Sequence, residues 1–83
     1  MYRNIYEHYF SAKCPVNGDM IDYHLTIESS EMIEVEKIVD ATDDLQEGYH
    51  EIFADQLIAL LGGFQIITAH HHGVDIKTMR EKS

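Results

Sequence analysis

Residues 21–28 read IDYHLTIE, and this stretch decides the fold class of the chain. Apolar residues stand at every second position and alternate with polar ones, which is the period of a strand with one buried face. Residues 2–10, YRNIYEHYF, are rich in aromatic and β-favouring side chains and predict a partner strand. Between them, residues 14–19 (CPVNGD) contain Pro and Asn-Gly, which favour a tight turn. The first third of the chain therefore predicts a β-hairpin, with Cys14 at the end of its first strand.

Residues 31–61 have a helical pattern, which is clearest in the second half. The apolar side chains that recur there at spacings of three and four are Tyr49, Ile52, Phe53, Leu57, Leu60 and Leu61. Gly62 and Gly63 form a stop signal for this helix, and Gly48 indicates a join to an earlier helical piece over 33–45. We therefore expect two helices, of which the first is less regular because its β-branched residues also favour an extended chain.

Residues 64–79 return to β character, as two strands over 64–69 and 74–79 joined by a polar link, HHHG. The predicted order is strand-strand-helix-helix-strand-strand, within a single domain over 1–83. Strands that flank helices favour an α+β fold with two helices on one face of an antiparallel sheet. Such a sheet keeps two exposed edges and a short chain buries little surface, so we expect a homo-oligomer joined through sheet edges.

The composition is that of a folded globular protein, with 83 residues of which 45 % are hydrophobic and 25 % charged. No apolar run approaches the length of a membrane span, so we expect none. The first eight residues lack the apolar core of a secretory leader, and the single cysteine can form no internal disulfide. These features favour a location in a reducing cytoplasm.

Acidic residues dominate the chain and are unevenly placed. There are 15 Asp and Glu against 6 Lys and Arg, which gives a net charge of −9. Residues 28–55 hold ten of the acids and one base, and most of these acids are expected on solvated faces. Because a negative field repels phosphates, nucleic-acid binding would need a basic strip gathered from Lys13, Lys77, Arg80 and Lys82.

Cys14 is the first candidate for chemistry, because it stands at a strand end in a turn, near Asp19 and Asp22. A lone cysteine is more often a small buried hydrophobic residue than a nucleophile. Nearby carboxylates, however, can take the thiol proton as a base or return one as an acid. This arrangement suits attack on an electrophile that must then be protonated, such as a nitrile.

His50 and Glu51 are the second candidates, at the start of the amphipathic helix. Adjacent helix residues diverge by about 100°, so both reach one ligand only if it sits at the beginning of the helix. A glutamate there commonly complements the helix dipole. It can also accept two N–H bonds from a guanine-like edge, which makes the pair a candidate base-binding site.

Three consecutive histidines, His70, His71 and His72, raise the hypothesis of a metal site. Successive residues of a strand point to opposite faces, so at most His70 and His72 would share one ion there. A third ligand would have to be His8 or His24, and no recognisable ligand spacing links them. With a glycine following, the stretch favours a polar hairpin loop, and we expect no metal site.

Residues 10–18, FSAKCPVNG, resemble the F-x-x-x-C-P-V-T-G segment of the 7-cyano-7-deazaguanine (preQ0) nitrile reductases of queuosine synthesis. The similarity continues in the same order and at similar intervals through the segments 22–27 (DYHLTI), 32–34 (MIE), 49–51 (YHE) and 72–76 (HGVDI). The cysteine and His-Glu motifs are fairly specific when they occur together, whereas each alone is not.

This resemblance implies the tunnelling fold, whose subunits form β-barrel rings, often stacked in pairs, with active sites at subunit interfaces. It implies that Cys14 attacks the nitrile carbon of preQ0 to give a covalent thioimide, and that Asp22 transfers the proton. It also implies that Glu51 and His50 hold the deazaguanine, with Glu34 as a further contact.

Three departures from the reductase pattern distinguish this chain, and one of them is that it is shorter than typical reductases. Seven residues rather than the usual six separate Cys14 from Asp22, so Asp19 stays open as the alternative acid. Where the reductases carry two lysines for NADPH, this segment offers Glu36 and Asp40, which repel its phosphates. The resemblance is therefore closest to the QueF-like, amidine-forming branch, which lacks the NADPH motif and makes archaeosine-type bases.

That branch implies an amidinotransferase-type enzyme that resolves the thioimide with ammonia to a formamidine and needs no cofactor. Its substrate would be 7-cyano-7-deazaguanine, either as the free base or within tRNA or DNA. The first alternative is an NADPH-dependent nitrile reductase that gives the aminomethyl product. A non-catalytic ligand-binding ring of the same fold and a histidine-metal pterin-type enzyme are further alternatives.

Overall fold

The computed structural model describes residues 3–82, which form four strands and two helices. In chain order these are β1 (Asn4–Lys13), β2 (Met20–Ser29), α1 (Val35–Asp43), α2 (His50–Leu61), β3 (Gly63–His71) and β4 (Val74–Lys82). All neighbouring strands pair antiparallel in one sheet of order β1-β2-β3-β4. Both helices are inserted between the two central strands. The predicted α+β fold and its element order are confirmed.

One face of the sheet is covered by the helices, and the alternation in β2 determines which one. Tyr23, Leu25 and Ile27 are at most 2 % exposed, and they lie in one core cluster with Phe53 and Leu57 of α2. The residues between them in β2 lie on the opposite face, which no element of the described chain covers. Residues 21–28 thus divide the sheet into a helix-covered face and an open face.

Helix α1 is shorter than the predicted piece over 33–45. It runs from Val35 to Asp43, and the chain before it is extended. Ile33 is held there by its backbone N–H, which donates to the hydroxyl of Tyr6 in β1 at 2.9 Å. Leu45 lies beyond the helix end but is buried in the core. Both residues are apolar because they pack in or against the core. Their apolar character extended the predicted helix, although they lie outside the observed one.

Helix α2 buries a narrower stripe than its apolar pattern predicts. Phe53, Ala54 and Leu57 are buried, whereas Ile52 is 49 % and Leu60 is 67 % exposed. A single helix lying on a sheet covers only the side chains that point at the sheet. The predicted apolar face of α2 is therefore wider than the surface that the sheet of the same chain can cover, and part of this face stays exposed.

The strands are longer than predicted. β1 continues to Lys13 rather than ending at Phe10, and β4 continues to Lys82 rather than Met79. Polar residues extend them because pairing uses the backbone: Lys13 pairs with Met20, and Lys82 pairs with Gly63. The predicted start of the first strand at Tyr2 lies outside the described residues, as do both ends of the predicted domain.

In the described chain no further strand pairs with the outer edge of β1 or β4, and only Lys13 at the end of β1 bridges to Glu47, so most of both sheet edges is open. Between residues 3 and 82, neither helix is long and apolar enough to cross a membrane.

Candidate active site

A cavity of about 300 Å³ lies at one end of the sheet, beside Cys14. Its wall is built where β1 ends, β2 begins and α2 begins, with Ile21, Tyr23, His50 and Glu51 among its lining residues. His71, at the end of β3, closes another side. Three parts of the chain that are distant in the sequence, namely the β1–β2 hairpin, the start of α2 and the end of β3, therefore meet around one thiol.

The Cys14 turn, residues 14–19, fixes the thiol at this position. The backbone N–H of Cys14 donates to the carbonyl of Asp19 at 2.8 Å, and that of Gly18 donates to the carbonyl of Cys14 at 2.9 Å. The Cys14 residue is 7 % exposed and belongs to the core cluster. The sequence expectation that Cys14 stands where the first strand ends is thus confirmed by the structure.

The segment before α2 is tied to the same strand end. Lys13 donates its backbone N–H to the carbonyl of Gln46 at 2.9 Å and accepts one from Gly48 at 3.2 Å. A Cβ at Gly48 would stand 2.7 Å from the ring of Phe53, so a side chain there would collide with the core. Gly48, predicted as the join between two helices, lets the chain pass close to Phe53 and start α2 beside Cys14.

His50, the first residue of α2, is buried and neutral. Its Nε2–H donates to the carbonyl of Ile67 at 3.1 Å, whereas its buried Nδ1 has no hydrogen-bond partner among residues 3–82. Burial lowers the pKa of His50, although the bond to Ile67 and the charge of Glu51 oppose that effect. The Nδ1 of the neutral imidazole is therefore an unused hydrogen-bond acceptor.

Glu51 follows in the first turn of the same helix and is exposed, while lining the same cavity. An ionised carboxylate only accepts hydrogen bonds and has two oxygens to do so. His50 and Glu51 thus both carry hydrogen-bond acceptors, and both residues line the Cys14 cavity. The predicted grouping of Cys14, His50 and Glu51 occurs within a single protomer.

Tyr23 is a site residue that the sequence reasoning did not single out. Burial raises the pKa of its phenol, and the neighbouring Cys14 side chain raises that pKa further, so the hydroxyl stays protonated. The ring lies against His50, with centroids 5.4 Å apart. A usable signal was present, because the alternation in β2 places Tyr23 on the covered face that also holds Cys14.

Asp22 is not in the Cys14 cavity of its own protomer. It lies on the open face, where its Oδ1 accepts a hydrogen bond from the hydroxyl of Ser11 at 2.6 Å. Its neighbours in the strand, Ile21 and Tyr23, take the covered face instead. Strand alternation therefore separates this predicted acid from the thiol, and its role stays a prediction.

Glu34 is also distant from Cys14. It lies immediately before α1 and lines a second cavity of about 630 Å³ at the opposite end of the sheet. That cavity is bordered by Glu28, Gly63 and Lys82, which stand at the other ends of the strands. One protomer thus leaves Glu34 out of the group formed by Cys14, His50 and Glu51.

The histidine stretch forms the predicted hairpin, but its side chains group differently from the expectation. His72 lies in the turn with a positive φ of 52°, so strand alternation stops before it. Nδ1 of His70 pairs with a carboxylate oxygen of Asp75 at 2.7 Å. The argument that at most His70 and His72 could share an ion therefore does not hold, because His71 and His72 instead come together with Asp19.

Comparisons with known proteins bear on the fold. No protein-family model matches the sequence, and a search of the curated proteins finds no match. Among solved structures, the fold is similar to that of an archaeosine synthase described as QueF-Like, crystallised in the apo form. The match covers 94 % of this chain and 90 % of that chain, with a TM-score of 0.73 and 16 % sequence identity. The chain therefore has the tunnelling fold, in the form found in the QueF-Like archaeosine synthase.

Proposed function

We propose that this protein is an enzyme of 7-deazaguanine modification that joins Cys14 to the nitrile of 7-cyano-7-deazaguanine and resolves the adduct with ammonia. The observation that carries the proposal is the single cavity that Cys14, His50 and Glu51 line together. The similar fold of an archaeosine synthase supports the same class of chemistry.

The cavity suits a bicyclic base. Its volume of about 300 Å³ is at the lower end of the range for small-molecule sites. Apolar walls from Ile21, Ala69 and Ile76 suit the faces of such a ring. A guanine-like edge presents adjacent N–H donors, which match the two carboxylate oxygens of Glu51. Nδ1 of His50 accepts a further N–H of the base.

The first step is addition of the thiol to the nitrile. The sulfur of Cys14 bonds to the nitrile carbon, one C–N π bond breaks, and the nitrogen takes up a proton, which gives a thioimide with no net loss of atoms. The proton transfer is assigned to Asp22 by the resemblance, with Asp19 as the alternative. Asp19 belongs to the Cys14 turn, whereas Asp22 would have to act from the open face.

The second step distinguishes the two enzymatic candidates. Ammonia adds to the thioimide carbon and the Cys14 thiol leaves, so that a formamidine forms and the free enzyme returns. A hydride step would need NADPH, with its phosphates held near α1. Glu36 and Asp40 are exposed on that helix, and no basic residue stands in its last turn. This charge favours ammonia over NADPH as the second reactant.

A homo-oligomer is part of the proposal. The open edges of β1 and β4 are available for pairing with further copies, and exposed apolar side chains line the open face at Ile5, Tyr9 and Met79. A ring built in this way would close the sheet edges. Sedimentation velocity at micromolar concentration is expected to show an assembly, and a stable monomer would contradict this part of the proposal.

The central test is the intact mass of the protein after mixing with preQ0. We expect a gain of one preQ0 per chain without any nicotinamide cofactor. The Cys14→Ala variant should show no gain while keeping its circular dichroism spectrum. If the unchanged protein gains no mass with preQ0, either free or within tRNA, the covalent mechanism is wrong and a non-catalytic ring is favoured.

The second reactant is tested on the same adduct. Ammonium above pH 8, where more free ammonia is present, is expected to release the formamidine product in mass spectrometry. NADPH is expected to show no preQ0-dependent loss of absorbance at 340 nm. Oxidation of NADPH with an aminomethyl product would instead identify the nitrile reductase alternative.

A further inference from the structure

The β3–β4 hairpin and the Cys14 turn bring three metal-ligating side chains together. One imidazole nitrogen from each of His71 and His72 and a carboxylate oxygen of Asp19 all lie within 4.8 Å of one another. These residues come from parts of the chain more than fifty positions apart, so the fold and not local sequence creates the group.

We propose that Asp19, His71 and His72 bind one divalent transition-metal ion of the zinc type, which links the Cys14 turn to the β3–β4 hairpin. Two imidazoles and one carboxylate form a ligand set that zinc uses, with a fourth position left for water or another ligand. Donor atoms of a tetrahedral zinc site lie roughly 3.3–3.5 Å apart. Asp19 and His72 are exposed, so small side-chain rotations suffice to close the set around an ion.

Two further observations support this site. Nε2 of His71 is buried without a hydrogen-bond partner among the described residues, so the imidazole has an unsatisfied nitrogen. Asn17 bridges the two turns, because its amide nitrogen lies 2.9 Å from Nε2 of His72 and its amide oxygen accepts the backbone N–H of Asp19 at 3.0 Å. The ligand groups are thus held near each other by contacts outside the set.

The proposed ion has a consequence for the neighbouring cavity. His71 lines the wall of the Cys14 cavity, and Asp19 accepts the backbone N–H of Cys14. An ion bound here would fix the end of the Cys14 turn against the hairpin. A metal-bound carboxylate is not free to transfer a proton, so this role and that of Asp19 as the alternative acid exclude each other. The metal proposal itself does not depend on the proposed reaction.

The test is a zinc titration of protein freed of metal with a chelator, in competition with a chromophoric zinc indicator. One zinc per chain is expected. His72→Asn and Asp19→Asn should each weaken binding at least tenfold. Asn is chosen at position 72 because it tolerates the left-handed backbone that His72 adopts. His70→Asn is the matched control and should bind as the unchanged protein does, since His70 pairs with Asp75 outside the set.

A thermal unfolding series gives a second readout. Zinc should raise the unfolding midpoint of the unchanged protein and of His70→Asn, because a ligand that binds the folded state stabilises it. At the same zinc concentration it should raise the midpoint of His72→Asn by clearly less, while circular dichroism confirms that this variant is folded. Absence of stoichiometric binding, binding that survives both ligand substitutions, or binding lost in His70→Asn would each overturn the proposal.

Discussion

The two ends of the sheet carry cavities of different kinds. The cavity beside Cys14 is about 300 Å³ and is lined by three buried residues, Cys14, Tyr23 and His50. The cavity beside Glu34, at the other end, is about 630 Å³ and is bordered by charged groups that include Arg3, Lys37 and Glu81. The first has the size and the largely apolar lining of a small-molecule site, whereas the second is larger and has many charged groups at its border.

This difference indicates what a single chain lacks. Cys14, His50 and Glu51 share the small cavity, whereas Glu34 and Asp22 lie elsewhere. If Glu34 contacts the same ligand, it must come from another copy in the assembly. Which of the residues implied by the resemblance act within one protomer can therefore be tested.

The largest expected effect concerns two glycines, one at each end of the sheet. Gly63 and Gly18 have nearly equal positive φ values of 75° and 76°. A Cβ at Gly63 would stand 2.7 Å from the backbone oxygen of Glu28, whereas one at Gly18 meets nothing within 4 Å. We expect Gly63→Ala to lower the unfolding free energy by about 2–4 kcal/mol and Gly18→Ala by about 1–2 kcal/mol.

Urea unfolding of both variants at one protein concentration measures this difference. Equal losses would mean that backbone conformation alone decides the cost and that the strand at the Glu34 end can move away from the added methyl group.

The next effect concerns ligand binding by the two glutamates. Glu51→Gln replaces an acceptor by a donor opposite the N–H groups of the base, so it should weaken preQ0 binding by about 1.5–3 kcal/mol, or roughly ten- to a hundredfold. Calorimetry with the Cys14→Ala variant as background avoids covalent trapping. Unchanged affinity would mean that Glu51 only complements the dipole of α2 and does not bind the base.

Glu34→Gln, measured in the same Cys14→Ala background, tests whether the Glu34 end of the sheet contributes to preQ0 binding. If Glu34 of another copy completes the site, affinity should fall by a factor of similar size, and the loss should accompany the assembled form. If the affinity does not change, the small cavity alone holds the base and the resemblance assigns Glu34 wrongly.

The smallest effect is a pH dependence of stability from His50. Burial lowers its pKa in the folded chain, so below the usual histidine pKa of about 6.5 the unfolded chain binds a proton that the folded chain does not. Its stability contribution is therefore complete above that pH and is lost as the pH falls towards the lowered pKa. The slope for one proton cannot exceed about 1.4 kcal/mol per pH unit.

His50→Gln provides the control, because an amide can still donate to the carbonyl of Ile67 but does not titrate in this range. Urea unfolding between pH 5 and 8 should show a flatter dependence in the variant. The same pH dependence in both proteins would assign the effect to other histidines.

Much of the fold was predictable because it depends on local patterns. The alternation in 21–28, the turn chemistry of the Cys14 turn and the glycines at 48 and 62 gave the element order and the placement of Cys14. His50 and Glu51 were predictable as a pair for the same reason, since they begin a helix. Helix ends and the width of the buried stripe on α2 were not, because they depend on what packs against each residue.

The sequence alone determined the order of strands and helices, the covered face of the sheet and the position of the thiol at a strand end, because each follows from short-range periodicity and turn chemistry. Only the tertiary structure decided that Glu34 lies at the far end of the sheet from Cys14. It also brought Asp19 to His71 and His72. Such groupings depend on strand register and on the docking of distant turns, which no local pattern in the chain specifies.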